Sequence, residues 1–226
     1  MFPITIYYFS PVIIIYGASE GIIGGSFLLF TFLFLSSIFF RRAWCGFICP
    51  AGGLQDICAV PFSKKAKGGK FDWIKYFIWV PWMVSIVYLF SSIGLKKVDP
   101  IYQTFHGISV ADIGALIVYY AVVTLITVLS FTAGKRAFCH YLCWMAPFMI
   151  VGEKISSIIN IPSLHLVAEP DKCISCMSCE KKCSMSLPVN QMVLKGCMEH
   201  SECVLCGECV DVCSKKAIRY SFSKPK

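Results

Sequence analysis

Charge is scarce in this 226-residue chain. Only 15% of its residues are Asp, Glu, Lys or Arg, against about 25% in an ordinary soluble domain. A soluble globule of this size has too much surface to cover with so little charge. Histidine is scarcer still, with four in all. No two histidines lie within the apolar runs, which excludes a bis-histidine b-haem held by this chain. No basic stretch precedes the first apolar run, so that run does not read as a secretory signal. There is no nucleotide-binding glycine motif, catalytic triad or flavin site, and no aromatic-basic pattern that points to nucleic acid. Disorder is excluded as well, because 57% of the residues are hydrophobic. Cysteine is the exception to this scarcity: there are fourteen. That is still below the density of a small secreted disulfide scaffold. What remains is a membrane protein with a cysteine-dependent site.

The apolar residues concentrate in residues 1–164, whereas 165–226 contain no run long enough to span a bilayer and hold nine of the fourteen cysteines. Two domains are therefore expected, 1–164 embedded and 165–226 soluble, with the break near Ile161-Pro162-Ser163. A bilayer core needs about 20 apolar residues as helix. Runs at 21–40, 73–93 and 108–131 meet that length, and a shorter run at 2–16 spans by recruiting Gly17-Ala18-Ser19. The expectation is an α-helical membrane domain of about four transmembrane helices. The loop after the second run carries Arg41, Arg42, Lys64, Lys65, Lys67, Lys70 and Lys75, and the segment after the fourth adds Lys135 and Arg136. Only Lys96 and Lys97 lie on the other side, so the positive-inside rule puts the cysteine-bearing loops and both termini in the cytoplasm. Residues 145–161, apolar but carrying Glu153 and Lys154, fit an interfacial helix.

An internal repeat runs through the membrane domain. Arg42-Ala43-Trp44-Cys45-Gly46-Phe47-Ile48-Cys49 aligns with Arg136-Ala137-Phe138-Cys139-His140-Tyr141-Leu142-Cys143 at an offset of 94 residues. Each copy follows an apolar run, which suggests two helical hairpins related by a pseudo-twofold axis. Cysteines at i and i+4 share a helix face. Two such pairs converging would gather Cys45, Cys49, Cys139 and Cys143 at the cytoplasmic boundary. Four thiolates there suit an iron–sulfur cluster or another metal; a redox-active dithiol and inert packing are the other readings.

The soluble part carries Cys173-x2-Cys176-x2-Cys179-x3-Cys183 and Cys203-x2-Cys206-x2-Cys209-x3-Cys213. This is the spacing of a small α+β bacterial two-cluster ferredoxin, in which the fourth cysteine of each run ligates the other cluster. Three thiolates on a tight loop reach three irons of a cubane, and the fourth corner faces away. Cluster one is thus expected on Cys173, Cys176, Cys179 and Cys213, and cluster two on Cys203, Cys206, Cys209 and Cys183. Zinc ribbons need no third cysteine per run, and disulfides are reduced in the cytoplasm. Ser184 and Ser214 stand where proline usually follows the fourth cysteine, which changes the hydrogen bonding and hence the potentials. Lys172, Lys181, Lys182, Lys215 and Lys216 either offset cluster charge, dock an acidic donor or are plain solvated surface.

Cys49-Pro50 with Gly52-Gly53-Leu54-Gln55-Asp56, Ser10-Pro11, Gly17 with Glu20-Gly21, and Cys139-His140 through Cys143-Trp144-Met145-Ala146-Pro147-Phe148 resemble the NapH-type membrane ferredoxin family. Trp144 departs from the family's Cys-Pro. The resemblance implies electron transfer between cytoplasmic clusters and a membrane quinone or an extracytoplasmic partner, or service in metalloenzyme maturation.

The chain thus reads as a multi-pass protein of the cytoplasmic membrane that relays electrons as a subunit of an oxidoreductase system rather than as a stand-alone catalyst. It would hold two 4Fe–4S clusters and a third cluster or other metal. Its expected partners are the lipid bilayer, a cytoplasmic donor or acceptor protein, a quinone-type carrier or partner redox subunit, and a larger complex. The alternatives are a copper- or metal-handling accessory and a cluster-bearing anchor subunit. Cys58 and Cys197 lack motif partners, His140 either tunes a cluster, shuttles protons or simply packs, and Glu20 and Asp112 are candidates for proton exchange.

Overall fold

The computed structural model describes residues 8–61, 64–104 and 113–224. Helix α1 (Pro11–Glu20) opens with proline, whose missing N–H is no loss in a first turn, and stops at Gly21, held at a φ of 74°. The chain then forms a short strand β1 (Ile22–Gly24) before α2 (Gly25–Phe40) begins. Helices α3 (Ala43–Phe47) and α4 (Pro50–Ala59) follow. A 3-10 turn at Lys70–Trp73 leads into α5 (Ile74–Ile93), and β2 (Lys97–Asp99) pairs in parallel with β1. The second half repeats the first: α6 (Ile113–Thr132), α7 (Ala137–Tyr141) and α8 (Ala146–Ile159).

The repeat is therefore one of structure as well as sequence, long helix, five-residue helix, then a third helix. Each five-residue helix closes identically. The amides of Ile48 and Cys49 both donate to the Trp44 carbonyl, and those of Leu142 and Cys143 both donate to Phe138. The third helices are exchanged between the halves: α8 packs on α2 and α4 packs on α6.

One segment, Phe71–Ile93, is long and apolar enough to cross a membrane; α2 and the Leu116–Thr132 part of α6 are shorter apolar helices. The expected count of four spans is thus met by one among the described residues. The reason is visible at Gly21: residues 21–24 leave helical geometry to make β1, so the run at 21–40 yields a 16-residue helix. That is about 24 Å of helix, short of a bilayer core. The runs at 2–16 and 108–131 extend into residues outside the described ones. The segment expected to lie at an interface is α8, whose Met149, Ile150 and Gly152 are buried.

Strands β3 (Ser163–Ala168) and β4 (Ile218–Ser223) pair antiparallel from Ser163↔Ser223 to Ala168↔Ile218 and tie together the ends of the cysteine-rich part. Between them lie α9 (Ser178–Lys182), α10 (Val189–Leu194) and α11 (Glu208–Asp211). The break at 164/165 is one of composition more than of packing. A single apolar cluster joins Cys45, Cys139 and Met149 to Leu166, Met185, Val193 and Val204.

Candidate functional site

The two cysteine runs of the C-terminal part fold alike. Ser175, Met177 and Ser186 adopt positive φ, as do Leu205, Gly207 and Lys216, each thirty positions further on. The fourth cysteines match too: Cys183 Sγ accepts the Leu187 amide at 3.4 Å and Cys213 Sγ accepts the Ala217 amide at 3.3 Å. The structure gathers the cysteines in two sets. Cys173, Cys176, Cys179 and Cys213 line one cavity. Cys183, Cys203, Cys206 and Cys209 line another. Each cavity is thus lined by three cysteines of one run and the fourth of the other. The serine that replaces proline in the first run acts on the second cavity, with Ser184 Oγ 3.4 Å from Cys206 Sγ.

The four cysteines of the repeat also converge. Burial first, and then the neighbouring Cys45 and Cys139, together push the Cys49 thiol up to about 12. Burial, then Cys139, Cys45 and Cys49, raise Cys143 as well. Backbone N–H groups oppose the rise in the same way in both copies, from Gly52 at Cys49 and from Ala146 at Cys143, three residues on in each case. Four crowded thiols cannot all ionise unless a cation compensates them, which is the donor chemistry of an iron–sulfur or metal site. Among the described residues no three His, Cys, Asp or Glu side chains are gathered tightly enough to hold a single metal ion.

Residues from each copy hold the other. Gln55 Nε2 donates to Cys139 Sγ at 3.2 Å, while its Oε1 accepts the Phe138 amide at 3.0 Å. Arg136 donates to the Cys45 carbonyl at 3.0 Å and forks onto both carboxylate oxygens of Asp56. A Cβ on Gly52 would stand 3.1 Å from the Cys45 carbonyl oxygen and 3.5 Å from the Arg136 guanidinium. Cys45 Sγ lies 3.3 Å from Met149 Sδ. Gly52, Gln55, Asp56 and Arg136 stand in the repeat and its flank, and that position in the motif is the one sequence signal of their place at the site.

The cysteine-rich part is docked on the repeat. Arg42 Nη1 donates to the Ser201 carbonyl at 2.6 Å and pairs with Glu202 at 3.2 Å, and Lys75 pairs with the same carboxylate at 2.5 Å. These three side chains are 1%, 5% and 0% exposed for Arg42, Glu202 and Lys75. Arg41 binds Ser163 Oγ, Glu153 and Glu199. Burial raises the Glu153 carboxyl to about 7 despite the Arg41 and Arg42 guanidinium groups, and among the described residues its Oε2 has no hydrogen-bond partner. At the centre of the junction, Gly46 meets the loop of the second cavity through Val204 and Cys206.

The remaining candidates fall elsewhere. His140 is packed, with Nδ1 2.9 Å from Asp72 Oδ1 and Nε2 3.0 Å from the Met185 carbonyl. Cys58 is buried and Cys197 exposed. Glu20 is exposed at the end of α1, and Asp112 lies outside the described residues.

Comparison with known proteins bears on this arrangement. Residues 23–68 and 115–162 each match the 4Fe-4S binding domain family. These are the two structural repeats, each with its Cys-x3-Cys. The chain is 26% identical to the ferredoxin-type protein NapH of Haemophilus influenzae, over 88% of this chain and 68% of that protein. The chain is similar to NapH-type 4Fe–4S ferredoxins. The putative electron transport protein YccM of Escherichia coli is 22% identical over 88% of this chain and 56% of its own length. An uncharacterized protein of Methanocaldococcus jannaschii is 24% identical over 82% of this chain and 74% of its own. The chain therefore spans between about half and three quarters of these relatives. No solved structure matches it.

Proposed function

We propose that this protein is a membrane-bound one-electron relay between a cytoplasmic redox protein and a quinone-type carrier or partner subunit in the membrane. The carrying observation is the junction at Gly46, where the loop of one cysteine cavity abuts α3, the helix that carries Cys45 of the first Cys-x3-Cys. In this reading Cys173, Cys176, Cys179 and Cys213 hold one 4Fe–4S cluster, and Cys183, Cys203, Cys206 and Cys209 hold a second. Cys45, Cys49, Cys139 and Cys143 hold a third cluster or another metal. Such clusters supply one-electron exchange between iron oxidation states. The chain's own residues set the spacing and exclude water: Arg42, Lys75 and Glu202 clamp the junction, and Gln55, Arg136 and Met149 wall the four-cysteine site.

The multi-pass membrane placement is supported by the span at Phe71–Ile93, by the outward apolar faces of α5 and α6 and by the excess of basic residues beside the cysteines. Phe77, Val84 and Tyr88 on α5 and Ile113, Ile117 and Tyr120 on α6 are all exposed. Sidedness follows from the basic residues, with both cysteine-bearing regions cytoplasmic.

Iron and acid-labile sulfide analysis of the purified full chain tests this. About twelve irons per chain is the expected content for three four-iron clusters. Replacing Cys45 and Cys139 by serine should lower it to about eight, leave the signals of the two ferredoxin-type clusters intact and stop delivery to the membrane acceptor. About eight irons in the unaltered protein, with a different metal or free thiols at the repeat, would sink the three-cluster relay.

A further inference from the structure

The two cavity loops of the ferredoxin-type part share sequence spacing and backbone geometry but not surroundings. In the loop of the second cavity, Val204, Leu205 and Gly207 are buried, and the chain's own Arg42 and Gly46 lie against its neighbourhood. The loop of the first cavity faces outward. Ile174 is 60% exposed and Met177 39%, on either side of an exposed Cys176. Lys215 lines the same cavity, and Lys181 stands on α9, whose Ser178 and Cys179 line it too. Both lysines are exposed, and among the described residues neither ammonium has an ion-pair partner. Two acids of this part are engaged elsewhere: Glu180 pairs with Lys65, and Glu169 pairs with both Lys172 and Arg219.

We propose that this face is the docking surface for an acidic one-electron carrier protein, seated on Ile174 and Met177 and held by Lys181 and Lys215. The proposal rests on the relay reading above and names the partner class for its outer end. A carrier that must arrive quickly and leave after each transfer suits a small apolar centre with a charged rim. Rim charges speed encounter and set orientation while adding little to residence. The uncompensated lysines select a partner of negative charge, and the two exposed apolar side chains exclude water where the partner sits. The carrier is oxidised by one electron as this protein is reduced by one, or the reverse, and no bond or proton moves.

The test is direct binding of an acidic flavodoxin to the iron-loaded full chain in neutral detergent, followed by calorimetry and by carbodiimide cross-linking of lysine to carboxylate. Saturable one-to-one binding that weakens as salt rises is the expected result. Lys181→Glu with Lys215→Glu should weaken it at least about tenfold, since like charges then face each other, and should abolish the cross-link. Ile174→Ser should weaken it at unchanged salt dependence. Iron content and reduction by viologen radical show that the sites themselves are intact; a wild-type chain that holds no clusters defeats the relay reading instead. Should the charge-reversed chain lose iron, Lys181→Gln with Lys215→Gln is measured in its place, with a smaller loss of affinity expected. Binding unchanged by either pair, or binding to anionic phospholipid vesicles through these lysines with none to flavodoxin, overturns the docking surface.

Discussion

Gly46 and Cys206, 160 positions apart, lie in backbone contact. A Cβ at Gly46 would stand 3.0 Å from both the Cys206 amide nitrogen and its Cα, and 2.4 Å from the Val204 carbonyl oxygen. The obstacle is main chain, so no side-chain rotation can relieve it. Gly46→Ala should therefore push the cysteine-rich part off the repeat, costing about 1–3 kcal/mol as overpacking does. Gly53→Ala, seven residues on, meets nothing within 4 Å and should stabilise α4 by roughly 0.5–1 kcal/mol. Hydrogen exchange of residues 201–206 separates the two: faster in the first variant, unchanged in the second.

Glu202 is the shared anion of two buried cations, Arg42 and Lys75. Its removal leaves both charges without a counter-ion in a site closed to water. Glu202→Ala should cost on the order of 3–5 kcal/mol and lower the thermal unfolding midpoint in detergent. A midpoint within a degree of the unaltered chain would show that the clamp contributes nothing.

Glu153 makes stability depend on pH. Its carboxyl rises from an ordinary 4.5 to about 7 because burial penalises the charge. The folded state therefore favours the protonated acid. Its contribution is fully present below pH about 4.5 and is lost as pH rises through about 7. The cost by then is roughly 3 kcal/mol, from the conversion of a pKa difference to free energy. Glu153→Gln should remove this slope, so the difference between the two chains in unfolding free energy should be flat outside that window. A parallel pH profile in both chains would refute the assignment.

Ser184 offers its hydroxyl to Cys206 Sγ at 3.4 Å. A donor to a ligating sulfur stabilises the more reduced, more negative cluster. Ser184→Ala should therefore make the cluster proposed on Cys183, Cys203, Cys206 and Cys209 harder to reduce and leave the one proposed on Cys173, Cys176, Cys179 and Cys213 unchanged. Potentiometric titration followed by electron paramagnetic resonance reads both. Equal shifts, or none, would contradict the single contact.

Cysteine spacing made much of the site legible. The runs at 173–183 and 203–213 predict which fourth cysteine crosses to which set, because a tight loop can present only three sulfurs to one cubane. The 94-residue repeat likewise predicts the pairing of Cys45 and Cys49 with Cys139 and Cys143. The helical spans were less legible. Apolar runs report composition, and nothing in the run at 21–40 marks Ile22 to Gly24 as strand except the preceding Gly21, which takes a positive φ.

The chain's sequence by itself determined the apolar character of residues before 165, the three sets of four cysteines and the duplication, since each is a matter of residue type and spacing. Tertiary structure alone decided the exchange of third helices between the repeats, the clamp of Arg42 and Lys75 on Glu202, and which cavity faces inward. Those depend on long-range packing and on pairing charges that water would otherwise hold, so a position such as Gly46 shows its role only when Val204 and Cys206 arrive beside it.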